Sequence, residues 1–389
     1  MMLRLKACII GRIDPDQQTP LPFALMASMF FESPLTPMTL AAEPSLADKV
    51  EFLLRRDSYS PPAADVVRHE THMSEVFLVD GKVYKLKKPV RFPYLDFSTL
   101  ARREHACRAE LVLNRRLAPD VYRGVVPLLR SAAGLAIGGG GSDAGGHVVD
   151  WLVAMNRLDE TQMLDRLIAD RRLEPWHLDR LAATLVQFYR RASAVFISPA
   201  KYWMQFWQSL AYNRHVLLDP RFELPPGSIW SVDAAQRRFL TERRALLAGR
   251  VRARHIVDGH GDLRPEHIWI GDPVRIIDCL EFNADLRMVD PFDEIAFLCL
   301  ECERLGATWA TQYLRRRIAH ALHDGESDEL FAFYRCHRAT LRARLAIAHL
   351  LEPNPRTPAK WPLLARTYLR LAAADAVRLE RSLKRRGGR

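Results

Sequence analysis

Residues 260–283 read HGDLRPEHIWIGDPVRIIDCLEFN, and this stretch decides how the chain is expected to fold. It contains two short apolar segments, His267–Ile270 and Val274–Ile277, which are joined by the turn-forming tripeptide Gly-Asp-Pro. The pattern therefore predicts a hairpin that returns the chain to its starting point. Such a hairpin places His267 roughly opposite Asp278.

The polar residues around this hairpin suit phosphoryl transfer. That reaction needs a metal ion against the phosphates, a cation on the phosphate oxygens and a carboxylate that orients the attacking hydroxyl. Asp262, on the loop before the hairpin, can accept a proton from an alcohol. Asp278 offers the hard oxygen ligand that Mg²⁺ prefers. The stretch thus supplies two of the three components.

Length and composition limit the class of protein. A chain of 389 residues can form two to three domains or one two-lobed enzyme. Hydrophobic residues make up 48% and charged residues 26%, as in soluble globular proteins, and no apolar run predicts a transmembrane helix. The net charge of +11 comes mainly from arginine, but acidic residues are interspersed with it. This pattern favours a mixed, solvated surface over a nucleic-acid-binding one.

The six cysteines do not form a disulfide framework in a chain of this length. Cys299 and Cys302 make a C-x-x-C, but the surrounding LCLECERLG has the pattern of an amphipathic helix, and no second pair follows. Buried free thiols are therefore expected in place of a zinc knuckle. A reducing cytoplasmic location is expected, with no membrane partner.

The chain divides into three segments. Residues 1–44 lack periodicity and are predicted to be disordered. Residues 45–158 contain alternating strand patterns and one long helical pattern, which predict a strand-rich N-lobe. Residues 159–389 are mostly helical in pattern and predict a larger C-lobe, with a catalytic loop at 260–267 and a metal motif at 277–281. The expected fold class is α+β with two lobes and a cleft between them.

Local signals mark several elements within the N-lobe. Ser45 is the expected N-cap of the first helix, SLADKVEFLLRR, and Asp80-Gly81 predicts a tight hairpin turn. The strings VYRGVVPLL and HVVDWLVAM are typical of strands. The glycine run Gly138–Gly146 between them has no Lys-Ser or Lys-Thr after it, so it predicts a flexible hairpin tip and not a phosphate-binding loop.

Three motifs resemble the aminoglycoside phosphotransferase family and its protein-kinase-like relatives. The family pattern is H-G-D, then an Asn, then I-D and D-P-x-x-D; this chain has HGD at 260–262, ID at 277–278 and DPFDE at 290–294. VYKLKKPV, HGDLRP and IIDCLEFN are similar to an uncharacterised bacterial group within that family. The resemblance covers roughly residues 45–350. It implies a kinase-like fold. It also implies an enzyme that uses ATP and Mg²⁺ to phosphorylate a hydroxyl of a small molecule or protein.

The resemblance also assigns roles to individual residues. Asp262 would be the catalytic base, with His260 in the same motif, and Asp278 would bind the metal. Glu281 would add a second metal carboxylate, and Asp293 would be the buried carboxylate that braces the catalytic loop.

The position of the family's metal-binding Asn is occupied by His267. A neutral imidazole is a poorer Mg²⁺ ligand than an amide oxygen. His267 therefore contacts the metal or phosphate differently, or one ion suffices, or activity is weak, or the ring only bonds across the hairpin. A kinase-like protein that binds nucleotide and regulates a partner is accordingly the alternative to an active enzyme.

The N-lobe is expected to supply an amine and a glutamate. Lys85 is the favoured amine and Lys87 the alternative, since residues two apart on a strand share a face. Of Glu104 and Glu110 on the following helix, Glu110 has the family spacing of seven residues before a closing leucine, Leu117.

Two further nucleotide contacts are expected. The loop that covers the phosphates lies in ETHMSEVFL, which lacks the G-x-G-x-x-G of protein kinases, so the hydroxyls of Ser74 and Thr71 are candidates. The adenine edge would meet residues 154–156, around Met155. The sequence does not specify the acceptor, because kinase-like scaffolds serve many substrates.

Overall fold

The structure is a computed structural model that describes residues 43–92, 94–138, 146–325, 327–352, 355 and 357–386. Residues 1–42 of the segment predicted to be disordered lie outside this description, as do residues 139–145 of the glycine run.

Strands predominate before residue 157 and helices after it. The strands are β1 (Val66–Glu70), β2 (Ser74–Val79), β3 (Lys82–Lys87), β4 (Arg91–Phe92), β5 (Leu95–Asp96), β6 (Tyr122–Ser131), β7 (Gly134–Ile137), β8 (His147–Asn156), β9 (Val257–Asp258), β10 (Ile268–Trp269), β11 (Arg275–Ile276) and β12 (Met288–Val289). The α-helices are α1 (Leu46–Leu54), α2 (Leu100–Arg115), α3 (Leu164–Ala169), α4 (Pro175–Arg191), α5 (Pro199–Leu217), α6 (Pro226–Glu242), α7 (Arg244–Arg252), α8 (Pro291–Arg304), α9 (Thr308–Leu322), α10 (Asp328–Ala348) and α11 (Lys360–Arg386).

The N-terminal part is built on one antiparallel sheet of six strands in the order β1-β2-β3-β8-β6-β7. Asp80 adopts a left-handed conformation (φ 51°) in the two-residue turn between β2 and β3. The Ser45 hydroxyl accepts the Asp48 amide at 3.2 Å and caps α1. Helix α2 packs on the sheet through buried Cys107, which lies beside Val153. The predicted strand-rich character of the smaller part is confirmed.

The helical part surrounds a single large apolar core. Helices α10 and α11 pack side by side, and Phe333 of α10 stacks on Phe239 of α6 with a ring-centroid distance of 4.3 Å. Cys299 and Cys302 are both fully buried in α8 as free thiols, as their sequence context predicts. The predicted α+β class, with a smaller strand-rich part and a larger helical one, is therefore confirmed.

Helix α10 brings arginine side chains into the interior. Arg335, Arg338 and Arg342 are almost completely buried and pair with Asp375, Asp293 and Glu301 at 3.1, 2.6 and 3.0 Å, respectively. Arginine suits such positions because its planar guanidinium bonds a carboxylate through two donors. Part of the basic charge is therefore buried in ion pairs, whereas composition alone predicts it at the solvated surface.

The hairpin of residues 260–283 lies where the sheet meets the helices. Its strands β10 and β11 are two residues each, shorter than the predicted four. Strand β9 before the loop pairs with β12 after the hairpin, so the whole stretch is closed at its base. Within the described residues, no helix combines the length and the apolar character that crossing a membrane requires.

The aromatic stack between α6 and α10 provides a test of this packing. Phe239 is fully buried, so Phe239→Ala should lower the free energy of unfolding by about 3–5 kcal/mol through lost burial and a cavity. Denaturant unfolding followed by helical circular dichroism measures the change. The control Val377→Ala alters a side chain that is 50% exposed and should shift stability by no more than about 0.5 kcal/mol. Equal effects of the two substitutions would contradict the assigned core.

Candidate active site

Two glycines allow the loop at 260–267 to lie close to the rest of the chain. Gly261 has φ of +85°, and a Cβ atom there would lie 2.8 Å from Leu280 Cδ1. Just before the loop, a Cβ atom on Gly259 would lie 2.7 Å from Glu294 Oε2. A larger residue at either position would displace the loop, and Gly261 also has a backbone conformation that other residues rarely adopt.

Glu294 of α8 holds the backbone of this loop. Its Oε1 accepts the amides of His260, at 2.9 Å, and of Gly261, and its Oε2 accepts the Tyr189 hydroxyl at 3.0 Å. Burial raises the pKa of Glu294, and the two amide donors act in the opposite direction. One carboxylate thus fixes two successive peptide groups next to Asp262.

The motif assigns this bracing role to Asp293, and the structure corrects that assignment. Asp293 pairs with Arg338 of α10 through two bonds of 2.8 and 2.6 Å. Successive helical residues are rotated by about 100°, so neighbouring carboxylates face different partners. Asp293 holds α8 to α10, whereas Glu294 faces the loop.

His260 is a positioning residue in this structure. Its ring is 1% exposed; Nε2 donates to the Ile277 carbonyl at 2.9 Å, and Nδ1 lies 3.3 Å from the Asp262 amide, from which it accepts. Burial lowers the pKa of His260 to about 3, so the ring is neutral. It connects the loop to Ile277, directly after β11, and is not among the lining residues of the cavity between the sheet and the hairpin.

His267 also has both ring nitrogens engaged. Nδ1 donates to the Asp262 carbonyl at 2.9 Å, and Nε2 accepts from Arg264 at 3.0 Å. Ile277 pairs with the His267 backbone, so Asp278 lies one residue beyond the position directly opposite. Nevertheless, His267 Nε2 is only 3.5 Å from an Asp278 carboxylate oxygen. The ring bonds within its own loop and also borders the predicted metal ligand.

Asp278 is held in an unusual backbone conformation. Its φ is 63°, which is uncommon for a residue with a side chain, and its amide donates to the buried Tyr122 hydroxyl at 3.2 Å. The next amide, of Cys279, donates to Asn114 Oδ1 of α2 at 2.9 Å. Strained residues persist where their surroundings fix them, often at functional sites. These contacts direct the Asp278 carboxylate toward the sheet.

A buried ion cluster joins this carboxylate to the sheet and to α2. Lys85 Nζ lies 2.7 Å from Glu110 and 3.2 Å from Asp278. Lys87 Nζ lies 2.6 Å from the other Glu110 oxygen and 2.7 Å from Glu281. Both lysines considered from the sequence thus contact Glu110. Lys85 alone of the two contacts Asp278, whereas Glu281, the second predicted metal ligand, is paired with Lys87.

The charges in this cluster keep its amines protonated. Burial alone would lower the pKa of Lys85, but the carboxylates of Asp278, Glu110 and Glu281 outweigh burial and raise it well above its ordinary value. Three carboxylates face two ammonium groups, so the five side chains carry one excess negative charge. A divalent cation near Asp278 would offset that charge.

Asp262 lies on the opposite side of His267. Its side chain is 14% exposed, and one carboxylate oxygen is 3.1 Å from Arg264 Nε. Burial would raise the pKa of Asp262, but Arg264, His267 and Arg342 outweigh burial and lower it. The carboxylate is therefore ionised at neutral pH and can accept a hydrogen bond from a hydroxyl.

A cavity of about 510 Å³ lies between the sheet and the hairpin. Lys85, Glu110, His267 and Asp278 contribute to its polar lining. Its apolar lining is formed by Val76, Leu78, Val83, Val121, Met155, Leu158, Met163 and Ile277. Its size suits a drug-sized or nucleotide-sized ligand, with an apolar region adjoining a charged end.

The three remaining residues that the sequence predicts as nucleotide contacts differ in their position relative to this cavity. Met155 contributes to the cavity, but Ser74 and Thr71 do not. The Thr71 hydroxyl bonds within the β1–β2 turn, donating to the Ser74 carbonyl at 2.9 Å. Strand β1 instead provides Arg68 and Glu70 as cavity-lining residues. No sequence signal marks Arg68 and Glu70, because charged residues are common on exposed strands.

Arg116 supports the loop at 260–267, and the sequence does not predict this role. At the end of α2, its guanidinium donates to the carbonyls of Asp258 and Gly259 at 2.9 and 2.8 Å. It thereby ties the helix that carries Glu110 to the strand that leads into the loop. Nothing in the local sequence distinguishes Arg116 from the exposed arginines around it.

Comparison with known proteins gives relatives but no function. No protein-family model matches the sequence. Uncharacterised proteins of Mycobacterium tuberculosis and Mycobacterium bovis are 31% identical over 333 residues. The match covers 82% of this chain and 58% of those relatives, so the chain spans little more than half their length.

Several solved structures show partial likeness. A choline/ethanolamine kinase family protein from Mesorhizobium loti is 15% identical, with a TM-score of 0.48 over 84% of this chain and 98% of that one. A choline kinase from Cryptosporidium parvum is 9% identical, with a TM-score of 0.46 over 83% and 90%. An aminoglycoside phosphotransferase from Streptomyces rimosus, in complex with ADP and streptomycin, is 17% identical, with a TM-score of 0.38 over 69% and 90%. Likeness at this level gives no conclusion about the reaction.

The neutral ring of His260 predicts a pH dependence. Between about pH 6 and 5, an unfolded imidazole takes up a proton, whereas the buried ring, with a pKa of about 3, does not. The unfolded chain therefore binds more protons than the folded one. For each unit by which the pH is lowered in this range, His260 reduces the free energy of unfolding by up to about 1.4 kcal/mol. His260→Gln should remove that part of the slope in denaturant unfolding of the ligand-free protein.

His337 of α10 gives the matched comparison. Burial lowers its pKa to about 3 as well, but it bonds Ser209 away from the loop. His337→Gln should reduce the pH dependence of the unfolding free energy by a similar amount, while the contribution of His260 remains. An unchanged slope in His260→Gln would show that this ring is not held neutral.

Proposed function

We propose that the protein is a metal-dependent phosphotransferase that binds ATP and transfers its terminal phosphoryl group to a hydroxyl. The observation that carries the proposal is the position of Lys85. Its ammonium group contacts both Glu110 and Asp278 beside the cavity, with His267 next to Asp278. The loop carboxylate of Asp262 is not among the lining residues of the cavity, but it lies 3.8 Å from the ring of His267, which is. An amine, a metal-binding carboxylate and a carboxylate that orients the acceptor are the components that phosphoryl transfer requires.

The cavity lining fits a nucleotide at both ends. The apolar residues on β2, β3 and β8 can enclose a flat base, and the charged end presents Lys85. Because its amine is protonated, Lys85 can bond phosphate oxygens as a cation. The bond to Glu110 would keep the Lys85 side chain in one orientation while a phosphate oxygen replaces its contact with Asp278.

The donor set at the charged end fits a divalent ion. Asp278 would hold Mg²⁺ through its carboxylate, and the excess negative charge of the ion cluster favours a cation there. When bound, the ion would neutralise charge on the phosphates. Glu281 pairs with Lys87 and would stabilise the ion cluster through that lysine, whereas Asp278 would be the metal ligand.

Asp262 would orient the acceptor hydroxyl. Its depressed pKa keeps it ionised, so its role is to accept a hydrogen bond and, as the reaction proceeds, the proton. Glu294 fixes the peptide groups that precede Asp262, and the Arg264 guanidinium lies 3.1 Å from the Asp262 carboxylate as an ion-pair partner. A small molecule or a protein can supply the hydroxyl.

A catalytically weak nucleotide-binding protein is the second candidate, and one observation favours it. Arg264 bonds His267 and also contacts the carboxylate of Asp262, so both groups are occupied by a single guanidinium. An acceptor would have to compete with Arg264 for Asp262. If that competition fails, nucleotide binding remains without transfer.

Two substitutions separate binding from transfer. Asp278→Asn should abolish the part of ATP-induced thermal stabilisation that depends on Mg²⁺, because a neutral amide holds the ion poorly. Asp262→Asn should preserve that stabilisation and lower ATP turnover by about 100- to 10,000-fold, because the proton acceptor is removed. Thermal unfolding and release of ADP in the presence of a metabolite extract measure the two effects.

Asp285→Asn is the matched control within the same stretch. This carboxylate is more than half exposed and pairs loosely with Lys201 at 3.8 Å. It should leave both readouts unchanged. Stabilisation by ATP without turnover in the wild-type protein would support the second candidate, and absence of any nucleotide effect would overturn both.

A further inference from the structure

A second cluster of potential metal ligands lies where the sheet meets the end of α10. His72 is in the turn between β1 and β2, whereas His349 and Glu352 follow α10. Glu352 Oε1 is 3.3 Å from His72 Nε2 and 2.6 Å from His349 Nδ1. One ligand atom from each of the three residues lies within 4.8 Å of the other two.

We propose that His72, His349 and Glu352 form a binding site for a Zn²⁺-class ion, separate from the proposed nucleotide site. Two imidazole nitrogens and one carboxylate oxygen make a donor set that Zn²⁺ uses, with water in the fourth position. Mg²⁺ prefers all-oxygen ligands and would not select this set. The proposal therefore concerns a different ion and different residues from those around Asp278.

The two distances to the carboxylate are close to those of such a site, and the two imidazole nitrogens lie within 4.8 Å of each other. With bonds of about 2.0–2.1 Å, neighbouring ligand atoms of a tetrahedral ion are about 3.3 Å apart. The separation of His72 Nε2 and Glu352 Oε1 is 3.3 Å, and that of His349 Nδ1 and Glu352 Oε1, at 2.6 Å, needs to open by only a fraction of an ångström. The ion would replace the hydrogen bonds that now converge on one carboxylate oxygen.

The ring orientations are already fixed by stacking. His349 stacks on Trp361 with a centroid distance of 3.9 Å and on His72 with a distance of 5.3 Å. His349 is buried, while the side chains of His72 and Glu352 are 25% and 27% exposed. The buried His349 is therefore held in place before an ion binds, whereas an ion and a water molecule can enter from the side of His72 and Glu352.

An ion at this position would join two parts of the molecule. Arg68, His69 and Glu70 of β1 contribute to the lining of the cavity, and His72 follows them by two residues. His349 and Glu352 belong to the helical part. A bound ion would therefore fasten the strand that covers the cavity to the end of α10 and restrict its movement.

Zn²⁺ binding to the chelator-treated full chain tests the proposal without nucleotide, so its result does not depend on ATP turnover. Calorimetric titration with Zn²⁺ should give about one ion per chain. Each of His72→Ala, His349→Gln and Glu352→Gln removes a direct ligand and should weaken binding by at least the ~10- to 100-fold that loss of a residue supporting a ligand costs. Excess Mg²⁺ should not compete. His320→Gln, an exposed histidine of α9, should bind as the wild type does.

Hydrogen exchange gives an independent readout. Zn²⁺ should slow exchange of the amides in the β1–β2 turn of the wild type but not of His72→Ala, whose helical circular dichroism should be unchanged. Unaltered Zn²⁺ affinity in both His72→Ala and Glu352→Gln would overturn the proposal, as would the absence of Zn²⁺ binding by the wild-type chain.

Discussion

The contact of one lysine with two carboxylates from different elements determines the geometry of the candidate site. Lys85 comes from a sheet strand, Glu110 from α2 and Asp278 from the loop after β11, and all three side chains are almost completely buried. Leaving one charge without its partner in such surroundings costs about 3–5 kcal/mol. The three elements must therefore keep one relative placement, and that placement creates the cavity beside them. Replacing a buried ion pair by well-packed apolar residues is often neutral or stabilising, so the cluster is not evidence of added stability.

The loop that carries Asp262 depends on a separate support. Glu294 holds two successive amides of the loop, and Gly259 and Gly261 permit its close approach. Arg116 then ties the base of the loop to α2, the helix that also carries Glu110. Asp262, the predicted base, and Asp278, the predicted metal ligand, are thus positioned by different parts of the chain, but both supports connect to α2. Displacement of that helix would alter both at once.

The sequence predicted the parts of the fold that local patterns determine. Ser45 caps α1 and Asp80-Gly81 forms the turn, because capping and tight turns depend on a few adjacent residues. The ion partners of Glu281 and Asp293 could not be assigned in the same way. In α8, the carboxylates of Asp293 and Glu294 are one position apart and face different elements. Glu281 lies outside any helix, and its pairing with Lys87 depends on the packing of residues far apart in sequence. Motif spacing locates a charged residue but does not choose its partner.

Strand β1, which borders the cavity, is an outer strand of the sheet that the described residues form, with β2 as its neighbour. Outer strands offer backbone donors and acceptors on which a strand from another molecule can assemble. The consecutive Arg68, His69 and Glu70 at this edge carry polar groups that an incoming strand would have to desolvate. The side chains that line the cavity therefore also oppose intermolecular β-sheet growth, so their replacement by apolar residues would bring a risk of aggregation.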